Sequence, residues 1–240
     1  MAVVTTKVIV LSSLKFGDSS LIVKCFTEEE GVKSYLIRGI LKAKKGGIKA
    51  AYFQPLTQLT IVASHNNKGT LNSIKEVQIS NPYQTIYRDI VKQSVVLFLS
   101  EVLSYAIKEE EKNEDLFEYL ESGLIWLDLH DKIANFHLLF LLNLTRFLGF
   151  YPDLSDDDKY GFDLSEGIFS DLISQKNIIS GNYYYQFKKL LGITFDEIEN
   201  VSFSKQERQI VLKVIIQYFE LHLDGFKKPK SLQILETVFS

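Results

Sequence analysis

One cysteine in the whole chain, Cys25, leaves no partner for an intramolecular disulfide and no thiolate set for a zinc site built by this chain alone. Cys25 reads as a small buried hydrophobe. Long apolar runs are also missing. The longest, such as Val95 to Leu99 and Leu138 to Leu142, fall far short of the roughly 18 residues of a membrane helix, so no membrane partner is expected. Met1 to Leu14 lacks the continuous apolar stretch of a signal peptide, because Lys7 splits it and polar positions alternate, and a cytoplasmic location is the expectation. Glycine-rich phosphate loops, G-x-S-x-G elbows and H-E-x-x-H are absent too. His65, His130, His137 and His222 have no neighbours at ligand or catalytic spacing and read as packed or surface residues. Catalytic residues, metal ligands and cofactors are therefore not expected.

Acidic residues are missing from one place in particular. Gly31 to Lys75 carries eight cations and no Asp or Glu over 45 residues, in a chain whose formal net charge is only -3. Residues 1 to 80 hold 11 Lys+Arg against 5 Asp+Glu, and residues 81 to 240 hold 16 against 25, so the two parts carry +6 and -9. Such asymmetry points the first part toward a polyanion.

What is present divides the same way. Alternating apolar positions and clustered β-branched residues give five strands near Thr6 to Leu14, Ser20 to Thr27, Val32 to Ile40, Phe53 to Ser64 and Thr70 to Ile79. Gly17-Asp18 and Asn66-Asn67-Lys68-Gly69 supply hairpin turns, and Glu28-Glu29-Glu30-Gly31 ends on a residue able to take positive φ. Five strands of this size fit a small closed OB-like barrel, a surface that binds single-stranded nucleic acid. Asn81-Pro82 marks a change to helical period. Helices are expected over Tyr83 to Lys108, Glu114 to Leu129 and Lys132 to Leu148, and a further one from Ser204, where Ser204 and Glu207 have capping-box spacing. A short apolar helix, Leu232 to Phe239, follows. The fold class is α+β multidomain: an OB-fold barrel over 1 to 80, then an all-α domain over 81 to 240 with an irregular Asp-, Gly- and Ser-rich insertion at 150 to 182.

Lys33, Arg38, Lys42, Lys44, Lys45 and Lys49 fall within 17 residues of the third strand and the connection after it. Lys68 and Lys75 extend the set. Cations on a loop each meet a phosphate without base-specific geometry, which predicts non-specific binding. Tyr35 and Tyr52, interleaved with them, are candidate rings for base stacking. Lys227, Lys228 and Lys230 form a smaller basic cluster, a candidate partner contact for an acidic, hydrophobic-tipped peptide. Asp153, Asp156, Asp157 and Asp158 fail the spacing of a calcium loop, since one starting at Asp156 would place Gly167 where a carboxylate is required. They read as a solvated acidic loop, which disfavours the rival reading of a divalent-metal nuclease.

The order of residues resembles the bacterial RecO family of recombination mediators over nearly the whole chain. It rests on Val8-Ile9-Val10-Leu11, on Gly17-Asp18-Ser19-Ser20-Leu21-Ile22-Val23, on Thr27 with Glu30-Gly31, on Ile37-Arg38-Gly39, on Gln54-Pro55-Leu56, and on Leu148-Gly149-Phe150-Tyr151-Pro152. The resemblance implies a non-enzymatic DNA repair and recombination mediator acting in the cytoplasm on the nucleoid. It further implies binding of single- and double-stranded DNA, annealing of complementary strands, and partnership with RecR and with the C-terminal tail of single-strand-binding protein. The alternative is a protein adaptor whose barrel meets partner proteins and not DNA. Many members carry a four-cysteine zinc module matching Leu154 to Leu172. This chain has no cysteine there, so the insertion is expected to be held by packing through Tyr160, Phe162 and Phe169.

Overall fold

The computed structural model describes residues 2–42, 48–66, 71–172 and 176–239. They form two compact units, Met1–Leu129 with Pro229–Ser231, and His130–Lys228 with Leu232–Ser240. The change from strand to helix falls near residue 81, while the compact units part at Leu129 because two helices belong with the strands.

In the first unit, β1 (Ala2–Phe16), β2 (Ser20–Thr27), β3 (Gly31–Ile37), β4 (Gln58–His65) and β5 (Ser73–Ile79) make an antiparallel sheet in the order β3-β2-β1-β4-β5. β1 is the shared strand. Its first half pairs with β4 from Ala2↔His65 to Ile9↔Gln58, its second half with β2 as far as Phe16↔Ser20, and a bulge between Val10 and Ser12 turns it from one partner to the other. The sheet closes where Tyr35 of β3 meets Asn72 in parallel, with the Asn72 N–H on Ser34 O and the Leu36 N–H on Asn72 O, each 2.9 Å. Five strands closed in this order are an OB barrel. Val8, Val10, Val23, Cys25, Leu59, Ile61 and Ala63 fill it.

Strand ends depart from expectation where short turns replace strand. Ile40–Lys42 and Ala50–Phe53 are single 3₁₀ turns, so β3 stops at Ile37 and β4 starts only at Gln58. Their buried residues, Ile40 and Phe53, close the barrel core instead of continuing its wall.

α1 (Ile90–Ala106) begins seven residues after the expected Tyr83. The cause is Asp128, whose carboxylate accepts the N–H groups of Gln84 (2.7 Å), Thr85 (2.8 Å) and Ile86 (2.9 Å) and so commits them outside a helix. Asp89 then caps α1 through the N–H groups of Val91 and Lys92. The buried ammonium of Lys92 completes this knot, donating to Thr85 Oγ1 (2.7 Å) and Asp128 O (3.0 Å). α2 (Glu114–Leu129) follows Asn113, which accepts from Leu116 N–H at 3.0 Å.

Both helices lie against the barrel. Lys24 of β2 donates to Ser104 O (2.7 Å) and Ile107 O (3.2 Å) at the carbonyl end of α1. Phe26 meets Phe117 with ring centres 5.9 Å apart. Gly31, at φ +63°, lies so close to the chain after α1 that a Cβ would sit 2.6 Å from Glu109 O.

The second unit is built on α3 (Phe136–Phe147) and α5 (Lys205–His222), both buried on most sides. α3 starts at Phe136 and not at Lys132, after the turn in which Asn135 Nδ2 donates to Val201 O at 2.7 Å. The Ser204 and Glu207 capping box is formed in both directions. The insertion holds a three-stranded antiparallel sheet in the order β7-β6-β8, from β6 (Gly161–Asp163), β7 (Ile168–Ser170) and β8 (Ile178–Ser180), and then an unforeseen helix, α4 (Gly181–Lys188). α6 (Leu232–Val238) ends the chain.

Aromatic packing secures the insertion. Phe162 is wholly buried, with Phe169 at 5.4 Å, Phe187 at 5.3 Å and Tyr218 of α5 at 6.2 Å between ring centres. Tyr160, expected to share this role, is 72% exposed. It precedes the strand and lies outside its pleat, and Tyr184 and Phe187 of α4 supply the packing in its place.

Candidate nucleic-acid interface

Two ends of β3 treat cations in opposite ways. At its first end, beside the Glu28 to Glu30 turn, Lys33 lies 3.7 Å from Glu30 and 3.5 Å from Glu110, with its side chain only 17% exposed. Lys7 pairs with Glu121 at 3.3 Å, and Lys112 with Glu29 at 3.5 Å. Lys24 is committed to carbonyls, and burial followed by the Lys108 ammonium pushes its pKa down. Lys33, expected as a phosphate ligand, is ion-paired on its strand, because the segment after α1 brings Glu110 against it.

Seven residues on, the other end of β3 is different. Arg38, Lys42 and Lys49 are exposed, as is Lys75 at the bulge of β5, and among the described residues none of the four has a carboxylate partner. Lys44, Lys45 and Lys68 lie outside the described residues. The hairpin of β1 and β2 reaches the same end, since Leu21 is paired with Ile37 and Leu41 N–H donates to Ser19 O at 2.9 Å. That hairpin adds Lys15, exposed, between Leu14 at 65% and Phe16 at 52% exposure. None of these three was singled out from the sequence. The available signal was the pairing of two large apolar residues with a lysine at the tip of a tight turn, where a strand has no core left to face.

The two candidate tyrosines do not behave alike. Tyr35 is wholly buried, its Oη 2.8 Å from His65 Nε2, and burial pushes its phenol pKa up. Period-two alternation turns it inward with Cys25 and Ile37, so its ring offers no face to a base, a second correction. His65 Nδ1 in turn lies 3.0 Å from Glu30 Oε1, within ion-pair reach but not aligned as a hydrogen bond. Tyr52 is half-buried and packs against the barrel core beside Ile48.

Lys227 and Lys228 are exposed in the second unit, and Lys230 is exposed in the first, where the neighbouring Ser231 donates through N–H and Oγ to Glu101 at 2.9 and 2.7 Å. The aspartates of the insertion do not converge: Asp153 accepts from Ser155 N–H, which holds its carboxyl below the usual range, and Asp157 pairs with Lys188. Among the described residues, no group of three or more His, Cys, Asp or Glu is placed to hold a metal ion.

An OB barrel with one uncompensated cationic end, followed by this helical segment, has relatives. The family model described as Recombination protein O N terminal matches residues 1–83, and the one described as Recombination protein O C terminal matches residues 87–233. The chain belongs to the RecO family. Its relatives include the DNA repair protein RecO of Flavobacterium johnsoniae, 53% identical over 237 residues and covering 99% of both chains. That of Flavobacterium psychrophilum is 49% identical over 237 residues with the same coverage, and that of Bacteroides fragilis 36% identical over 236 residues, covering 96% of this chain and 97% of its own. No helix of this RecO-family chain is long and apolar enough to cross a membrane among the described residues.

Proposed function

We propose that this chain is a non-catalytic mediator of recombinational DNA repair that holds phosphate backbones on the cationic end of its barrel. The observation that carries the reading is the set Arg38, Lys42, Lys49 and Lys75, without carboxylate partners among the described residues while Lys7, Lys33 and Lys112 are neutralised. Contacts of this kind are indifferent to base sequence, so single and double strands both bind. A surface that lowers repulsion between two like-charged strands also promotes annealing of complementary ones. With RecR, the chain remodels single strands coated by single-strand-binding protein so that a recombinase loads. Lys227, Lys228 and Lys230 are the cations assigned to the acidic C-terminal tail of that protein. Its place is the cytoplasm, on the nucleoid. Membership of the RecO family supports these roles, and relatives named DNA repair protein support the repair setting.

Fluorescence anisotropy of a labelled single strand across several salt concentrations tests the reading. Four phosphate contacts give a slope of log affinity against log salt of about -3. Changing Lys42, Lys44, Lys45 and Lys49 together to Glu abolishes binding and annealing in a chain that stays folded. Retention of both activities in that folded variant would move the interface elsewhere. The adaptor reading is favoured by one observation, the exposed Leu14, Phe16 and Leu41. It predicts no DNA binding at low salt and capture of RecR that changes little with salt.

A further inference from the structure

The barrel is incompletely closed. β3 meets Asn72, the residue before β5, in a single bridge at Tyr35, no ladder joins β3 to β5 among the described residues, and beside that bridge is a cleft of about 390 Å³ lined by Ile37, Arg38, Ile40, Ile48, Ser73 and Ile74. That volume falls within the roughly 300–1,000 Å³ of small-ligand clefts. Its floor is apolar and continuous with the barrel core, since Ile37 and Ile40 are core residues and Ile48 and Ile74 pack on them. Its rim is polar and cationic: Arg38 and Ser73 are exposed there, and the exposed Lys42, Lys49 and Lys75 stand within two residues of the lining residues Ile40, Ile48 and Ile74 in the chain. No carboxylate lies anywhere in the stretch from Gly31 to Lys75.

An apolar slot with an anion-attracting rim suits a flat, weakly polar group attached to a phosphate. We propose that the cleft takes one unstacked nucleobase of a single strand, while the phosphates on either side lie on Arg38 and the neighbouring lysines. The proposal rests on the nucleic-acid reading above and deepens it. It also separates the two kinds of DNA. A duplex presents its phosphates to the same cations, but its bases are paired and stacked and cannot enter, so single strands gain a contact that duplexes lack. Among the described residues the lining contains no aromatic ring, so the base is held by burial and not by stacking.

The test uses the full chain and three labelled probes of equal length: a single strand, the same backbone with every base replaced by an abasic linker, and a duplex. Binding of the abasic strand should be weaker by about tenfold at equal salt, with the same salt slope. Ser73→Trp, a change at an exposed position that fills the cleft, should remove that difference and leave duplex binding unaltered. A strand carrying one 2-aminopurine between adenines should brighten on binding to the wild-type chain, because the base leaves its stack for a site without rings. Equal affinity for the normal and abasic strands, or unchanged emission, overturns the base site while leaving the phosphate reading intact. Failure of all three probes to bind at low salt overturns both. An undiminished ratio in folded Ser73→Trp gives the cleft to another occupant, such as an extended peptide strand, and also overturns the proposal.

Discussion

Asp128 carries more of the first unit than its single side chain suggests. Its burial raises its pKa, but three backbone N–H donors and the Thr85 hydroxyl outweigh that effect and hold the carboxyl below its ordinary range. Asp128→Ala leaves the Gln84, Thr85 and Ile86 amides without their acceptor, while the Lys92 ammonium keeps the backbone carbonyl of residue 128, and should lower unfolding free energy in urea by about 3 kcal/mol. Tyr35→Phe removes only the hydroxyl on His65 and should cost about 1 kcal/mol with DNA affinity unchanged. A loss of affinity in that variant would contradict the inward placement of the ring. His137 supplies a pH dependence. Burial first, and the Arg208 cation second, push its pKa down to about 3 from 6.5, so the folded chain holds it neutral where the unfolded chain takes up a proton. Stability therefore falls as pH drops from 6.5 toward 3, by up to about 1.4 kcal/mol per pH unit from this group, and is unaffected by it at higher pH. His137→Leu should flatten that limb in urea melts collected across the range.

At the scale of elements, strand periodicity, turn residues and caps read well where the chain obeys local rules. β2 runs from Ser20 to Thr27 as alternation predicts, α2 begins at Glu114 after its Asn113 cap, and the capping box at Ser204 forms. Ser204→Ala should cost about 1 kcal/mol in thermal or urea unfolding, and Ser204→Asp should restore most of it. What stayed hidden was decided by contacts distant in sequence. The delayed start of α1 depends on a carboxylate more than 40 residues away, and no local signal at Tyr83 or Gln84 announces it. Lys33 looks like Arg38 in the sequence, and only the approach of the segment after α1 to β3 tells the neutralised cation from the one without a carboxylate partner among the described residues. α4 was missed because Asn182 to Tyr185 has strong turn and strand formers, and it is the burial of Tyr184 and Phe187 that makes a helix there.

For the whole molecule, the partition of charge was visible in composition, but its geometry was not. Among the described residues, cations spread over residues 7 to 75 are sorted by the fold into a compensated end and an uncompensated one. Lys33→Gln should accordingly leave DNA affinity and its salt slope unchanged, whereas Arg38→Gln should weaken binding and make the slope shallower by about 0.7 for single strands, both read by anisotropy. An equal effect of the two substitutions would show that ion pairing to Glu30 and Glu110 does not hold in solution.

The same sorting acts before any contact is made. With Glu28, Glu29, Glu30 and Glu110 paired to Lys7, Lys112 and Lys33 at one end of β3, and Arg38, Lys42 and Lys49 without such partners among the described residues at the other, the barrel carries an uneven charge along a strand of seven residues, about 20 Å from end to end. In the field of a nucleic acid such an object experiences a torque, and it arrives with the cleft end leading. Encounter is then fast and oriented at low ionic strength, and it slows steeply as salt shortens the reach of that field.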